Sequence, residues 1–140
     1  LHEAVYFQQA DRLGTITIDD GKANALGPEI WVALEQAFDI AEKSGLIVVL
    51  KGRKRIFSGG FDLKEMQKGP GEAVALTTQG SRFARRLLSF PCPVIGVSTG
   101  HCIAMGAFLM LACDYRIGTD GDYKIGLNDF KVALKLIKIE

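Results

Sequence analysis

The stretch Phe57-Ser58-Gly59-Gly60-Phe61-Asp62-Leu63-Lys64-Glu65-Met66 decides how this chain is read. Ahead of it, Gly45 precedes Leu46-Ile47-Val48-Val49-Leu50, a short apolar run rich in β-branched residues that predicts a buried strand. Behind it, Asp62 with Glu65 three residues on is the N-cap signal of a helix. The glycine pair thus marks the place where a strand gives way to a helix. Backbone without a Cβ approaches a ligand closely and aims a free N–H at it. A developing oxyanion is what such a donor serves. A tight turn that holds no ligand satisfies the glycines alone equally well.

A second stretch shifts that balance. Thr99-Gly100-His101-Cys102-Ile103-Ala104-Met105-Gly106-Ala107-Phe108-Leu109-Met110-Leu111-Ala112-Cys113-Asp114 follows another apolar run, Pro93-Val94-Ile95-Gly96-Val97, and opens an apolar helix. Two strand-to-helix turns, each offering a backbone N–H, would make a two-donor oxyanion hole.

With both stretches in view, the chain resembles the crotonase (enoyl-CoA hydratase/isomerase) superfamily. The resemblance is carried by Lys22-Ala23-Asn24-Ala25-Leu26, Phe57 to Leu63, Gly100 to Asp114, and Ile125-Gly126-Leu127-Asn128-Asp129. These fall in the family's order and spacing and reach from Thr15 to Asp129.

Composition sets the frame around those motifs. At 140 residues the chain is one domain's worth, enough for a real core. Hydrophobic residues at 48% and charged residues at 24% are ordinary for a soluble globular protein. A formal net charge of +1 gives no electrostatic reason to expect nucleic acid or a membrane surface as partner. Cys92, Cys102 and Cys113 lack metal-ligand spacing and read as buried reduced thiols, which suits a cytoplasmic protein. His2 and His101 lie in no ligand cluster, so no metal site is expected. No apolar run approaches a bilayer-spanning length, and no signal peptide is legible in a chain that starts at Leu1.

Taken in order, Ala4 to Phe7 and Gly14 to Ile18 predict two strands joined through the polar Gln8–Arg12 link. Pro28 at a first helical position and Gly45 past the last bound an amphipathic helix, with Ile30, Leu34, Ala37, Phe38 and Ala41 on one face. A short helix after Leu63, a Gly69-Pro70-Gly71 break and a long helix over Glu72 to Phe90 follow. Arg82, Arg85 and Arg86 in that helix read as a solvated basic face. Pro91-Cys92-Pro93 stops it. Strands are then predicted at Tyr115 to Gly118 and Tyr123 to Gly126. The order strand, strand, helix, strand, helix, strand, helix, strand, strand argues α/β with largely parallel pairing. The resemblance sharpens this to a spiral of strand-strand-helix turns over residues 1–129. Residues 130–140 form a divergent segment predicted to be a short helix, although Phe130, Val132, Leu134 and Leu136 also alternate like a strand. The family's further C-terminal helical region, which caps the site and builds trimers or dimers of trimers, has no counterpart in these 140 residues.

The resemblance also implies the chemistry. Coenzyme A is the only cofactor expected, as part of an acyl-CoA substrate. Its thioester carbonyl would be polarised by the N–H groups of Gly59 and Met105. Backbone around Lys22, Ala23 and Asn24, and from Gly59 through Gly60, Phe61 and Asp62 to Leu63, would hold the coenzyme A. Lys22 could meet a phosphate as a point charge. Of the two positions where relatives carry an acid, one holds Phe108 and the other Asp129, where Glu is usual. Hydration needs two acid–base groups, whereas moving a double bond from the 3- to the 2-position needs one. The reading is therefore an enoyl-CoA isomerase, with a hydratase, another crotonase reaction, or a non-catalytic acyl-CoA-binding or assembly protein as alternatives. Asp129 is shorter than Glu by one methylene, so its carboxylate retracts by about 1 Å, a misplacement that can cost about 10²-fold in rate. A helix cap is the competing role for Asp129. His101, ahead of the second turn, is expected to order the loop rather than act as a base.

Overall fold

Leu13-Gly14-Thr15-Ile16-Thr17-Ile18 alternates in burial as it alternates in sequence, with Ile16 and Ile18 fully inside. This strand, β2 (Leu13–Ile18), pairs antiparallel with β1 (Val5–Ala10), setting Val5 opposite Ile18 and Ala10 opposite Leu13. The structure, a computed structural model, describes residues 1–127. Asn128, Asp129 and the segment 130–140 therefore lie outside the described residues.

From β2 onward each return to the sheet is parallel. β4 (Ile47–Lys51), β7 (Val94–Ser98) and β9 (Tyr115–Gly118) add in turn, giving a five-stranded sheet in the order β1-β2-β4-β7-β9. Val48 lies opposite Val94, and Leu50 lies opposite both Ile16 and Gly96. Helices carry the chain between these strands: α1 (Pro28–Lys43), α2 (Leu63–Met66) with α3 (Pro70–Ser89), and α4 (Met105–Ala112). Pro28 and Pro70 each stand in the first helical turn, where a missing N–H costs nothing.

Between each sheet strand and its helix the chain makes short strands outside the main sheet. These are β3 (Ala25–Leu26), β5 (Arg55–Ser58), β6 (Gly60–Phe61), β8 (Gly100–Ile103) and β10 (Ile125–Gly126). β3 pairs with β6, and β8 pairs with both β5 and β10. The strand-strand-helix repeat is thus complete in each turn that ends in α1, α3 or α4, whereas the order predicted from the sequence omits β3, β5, β6 and β8. Segments of two to four residues, several of them glycine, are too short to display an alternation. Gly59 accordingly separates two short strands, the second opening at Gly60, instead of the glycine pair joining a strand directly to a helix. Gly100 to Ile103 likewise is strand, and the apolar helix opens only at Met105.

α1 and α3 cover the sheet with Ile30, Trp31, Leu34, Phe38, Leu76, Phe83 and Leu87. Aromatic rings run through this layer, Phe61 edge-on to Trp31 at 6.2 Å, Trp31 tilted against Phe83 at 5.6 Å, and Phe83 edge-on to Phe38 at 5.1 Å. Arg86 corrects the expectation of a solvated basic face. It is bonded to Glu35 and, at 2.7 Å, to Asp39 of α1, and its guanidinium stands 5.9 Å from the Phe38 ring. Burial works against its charge, but the bonds to Glu35 and Asp39 outweigh that and raise its pKa.

Cys102 and Cys113 are buried and Cys92 is half-buried. Burial pushes the Cys102 and Cys113 thiols up to about 12, so both stay protonated and unreactive in the native state. At pH 8 a thiol reagent is expected to modify Cys92 promptly and the other two only after unfolding. Because the folded pKa values are raised, their stability contribution is intact below the unfolded thiol value of about 8.5. It is lost as pH rises from there towards about 12, which alkaline urea melts of a Cys102→Ala variant would measure against the parent.

Candidate active site

The first wall of the site is the turn after β2, built on carboxylate-to-backbone bonds. Asp20 Oδ1 accepts the N–H groups of Lys22 (2.6 Å) and Asn24 (3.0 Å), and Oδ2 accepts that of Ala25 (3.3 Å). Asn24 sits at a φ of +51°, a left-handed conformation that Asn tolerates better than most residues. Its side chain is fully buried. The amide donates to the Ile18 carbonyl (2.7 Å) and the Phe57 carbonyl (3.1 Å) and accepts the Asp20 N–H (3.0 Å). Asn24 thereby stitches the end of β2 to the end of β5, which corrects its expected place as a coenzyme A contact.

Ser58, also fully buried, extends the stitch. Its hydroxyl donates to the Asn24 carbonyl (2.8 Å) and accepts the Gly60 N–H (3.0 Å). The Gly59 N–H donates to the Ala23 carbonyl at 2.8 Å. That bond takes up the donor expected to face a ligand at Gly59. Among the described residues, the group left without a backbone partner lies two residues further on. The Asp62 N–H donates to Leu26 at 3.1 Å, so alternation along the strand turns the Phe61 N–H away from β3, its only neighbouring strand among the described residues. Sequence reading placed Phe61 in the backbone that holds coenzyme A and missed its amide as a donor, because the direction of an N–H depends on register and not on residue type. Asp62 caps α2, accepting from Lys64 (3.0 Å) and Glu65 (3.4 Å), as the capping signal predicts.

The second wall is the β8–α4 turn. Ala104 carries φ +55° and ψ −127°, an unfavourable conformation for a residue with a Cβ. It holds because the Ala104 N–H donates to the Gly126 carbonyl (2.9 Å), while its own carbonyl accepts from Ala107 (3.0 Å) and Phe108 (3.2 Å). Met105 then opens α4, and the first N–H of a helix has no intrahelical acceptor. The two walls touch at Gly60, whose φ is +98°. A Cβ there would fall 2.8 Å from the Ala104 Cβ and 3.4 Å from the Met105 nitrogen. The Phe61 and Met105 amides therefore lie on backbones packed too closely at Gly60 to admit a side chain. His101 accepts the Lys124 N–H on Nδ1 at 3.0 Å and stacks edge-on against Tyr123, in keeping with a loop-ordering role.

A groove of about 790 Å³ runs along the first wall, lined by Lys22, Ala23, Gly59, Gly60, Phe61, Asp62 and Leu63. Lys64 and Lys68 also line it. Lys68 pairs with Glu65 at 2.6 Å, and the hydrogen bond to Glu65 raises its pKa. Phe108, one helical turn beyond Met105, is 45% exposed, so the position expected to carry an acid presents a ring to solvent. Among the described residues, no helix is long and apolar enough to cross a membrane.

Comparison with known proteins places this geometry in a family. The enoyl-CoA hydratase/isomerase family model matches residues 8–134. A Bacillus subtilis protein named "Probable enoyl-CoA hydratase" is 31% identical over 126 residues, covering 87% of this chain and 48% of its own length. A crystal structure of an enoyl-CoA hydratase/isomerase family protein from Pseudomonas syringae superposes with a TM-score of 0.90 at 44% identity, over 92% of this chain and 56% of that one. An enoyl-CoA isomerase of Mycobacterium tuberculosis gives 0.87 at 40% identity, over 94% of this chain and 57% of that one. The chain belongs to the enoyl-CoA hydratase/isomerase family and has the crotonase fold. It spans about half the length of the relatives it matches.

Asn24→Ala tests the stitch. It orphans two carbonyls and one N–H in the interior and leaves Ala at a left-handed φ. Each buried unsatisfied group costs about 1–3 kcal/mol, so a loss of at least about 3 kcal/mol is expected in urea melts.

Proposed function

We propose that this chain binds an acyl-CoA thioester along the groove and polarises its carbonyl between the backbone N–H groups of Phe61 and Met105. The observation that carries this is the close approach at Gly60, which sets the two amides on closely packed backbones. Neither amide depends on a titratable side chain, so polarisation is insensitive to pH. Lys22 and Lys64, on the groove walls, are suited to coenzyme A phosphates as point charges.

The reaction favoured is double-bond isomerisation of a 3-enoyl-CoA. A base removes a proton from C2, the electron pair delocalises through C3=C4 and onto the thioester oxygen, and the same base returns the proton to C4. The double bond then lies between C2 and C3, with nothing added or lost. Asp129, at the position where relatives usually carry Glu, is assigned as that base by the family resemblance. Phe108 supports isomerisation over hydration, since a phenyl ring cannot supply the second acid–base group that water addition uses. The same residue favours a second reading, an acyl-CoA-binding protein without turnover.

Two experiments separate these readings. Removing one oxyanion donor typically costs about 2.7–4 kcal/mol of barrier. Phe61→Pro deletes the amide and Phe61→Leu keeps it, so calorimetry should show the preference for an enolate-mimicking thioester over plain coenzyme A persisting at least in part in the second and vanishing in the first. Equal preferences in the two variants would overturn the Phe61 assignment. Asp129→Asn should leave acyl-CoA affinity nearly unchanged and abolish solvent-deuterium exchange at C2 and C4. Undiminished exchange would clear Asp129, and no exchange in the parent would favour the binding protein. Assayed on one preparation, hydration of 2-enoyl-CoA is expected to run far slower than isomerisation of 3-enoyl-CoA.

A further inference from the structure

Gly80 lies in the middle of α3, where glycine is unfavourable relative to alanine and no turn requires it. It is buried, facing one side chain from each of the two site walls. A Cβ at Gly80 would fall 2.8 Å from both Cε1 and Cζ of Phe61 and 3.1 Å from Cε of Met105. These are the side chains of the two residues whose amides are proposed to hold the oxyanion. Behind the Phe61 ring stands Trp31, 6.2 Å away edge-on and itself locked against Phe83. The ring is therefore held between α3 and Trp31, and an added methyl could be accommodated only by moving the ring towards the groove it lines. The Met105 methyl, at the end of a flexible side chain, yields more easily.

We propose that Gly80 is a positioning residue: by leaving room for the Phe61 ring and the Met105 thioether on one spot of α3, it fixes the spacing of the two donor amides. The inference rests on the reading of the Phe61 and Met105 N–H groups given above. Backbone contact at Gly60 holds the two walls together from the front, and the shared side-chain site on α3 holds them from behind. The effect passes through the ring and the thioether alone.

The test uses the full 140-residue chain and two ligands, plain coenzyme A and an enolate-mimicking acyl-CoA analogue, titrated calorimetrically. Gly80→Ala is expected to lower the preference for the analogue by about tenfold or more, since a misplacement near 1 Å can cost about 10²-fold. Affinity for coenzyme A itself should stay within about twofold. Phe61→Leu, which keeps the amide and shortens the side chain, should lose a similar factor because it vacates the site on α3. The double variant Gly80→Ala/Phe61→Leu should recover most of the parent's preference, the non-additivity expected of groups in contact. An unchanged preference in either folded single variant overturns the inference, as does an additive double variant or an equal loss for both ligands. If Gly80→Ala fails to fold, Phe61→Leu and the double variant decide between these outcomes. A parent chain without any preference for the analogue would instead sink the oxyanion reading, and this inference with it.

Discussion

Two stretches of main chain have to touch at Gly60 for this site to exist. With φ at +98° and no Cβ, Gly60 lets the β5–β6 segment lie against Ala104 and the start of α4. Any larger residue would be strained by its own backbone and would meet the Ala104 methyl at 2.8 Å. Everything around the contact serves to hold it. Asn24 and Ser58 tie the first wall to β2 from inside, and the Gly126 carbonyl ties the second wall to β10. Ala104 accepts an unfavourable conformation of its own, of order 1–3 kcal/mol, to bring Met105 to the head of its helix.

The division of labour within the site follows from backbone geometry more than from side-chain chemistry. The two proposed donors belong to a phenylalanine and a methionine, neither of which carries a polar group. Their side chains turn away and pack on α3, so the residues that present the amides also fasten them. Preorganised donors of this kind need no rearrangement when charge develops, which is where their advantage over mobile side chains lies. The lysines on the groove are proposed to recognise charge outside, and the aromatic layer behind Phe61 packs the inside.

Much of this was legible in the letters. The alternation of Thr15-Ile16-Thr17-Ile18, the helical spacing from Ile30 to Ala41, the proline at 28 and the cap at Asp62 all report local physics, and each element lies where that physics puts it. The four short strands were invisible because two to four residues carry no periodicity. Their pairing is decided by residues far away in the chain, such as Gly60 for Ala25 and Ile125 for Cys102. For the same reason the donor was assigned to Gly59, whose N–H turns out to be taken by Ala23, instead of Phe61. Gly80 is unfavourable in a helix by local physics, and only its tertiary setting against Phe61 and Met105 offers a reason for it.

The account rests on a carbonyl being pulled by two amides at once, and vibrational spectroscopy reads that pull directly. An isotope-edited infrared difference spectrum of an acyl-CoA analogue, ¹³C-labelled at the thioester carbonyl, should show its stretch moved to lower frequency on binding. The shift should be roughly halved in Phe61→Pro, where one donor is gone. A bound analogue whose carbonyl stretch stays at its solution frequency would contradict the account, however tightly the coenzyme A portion is held.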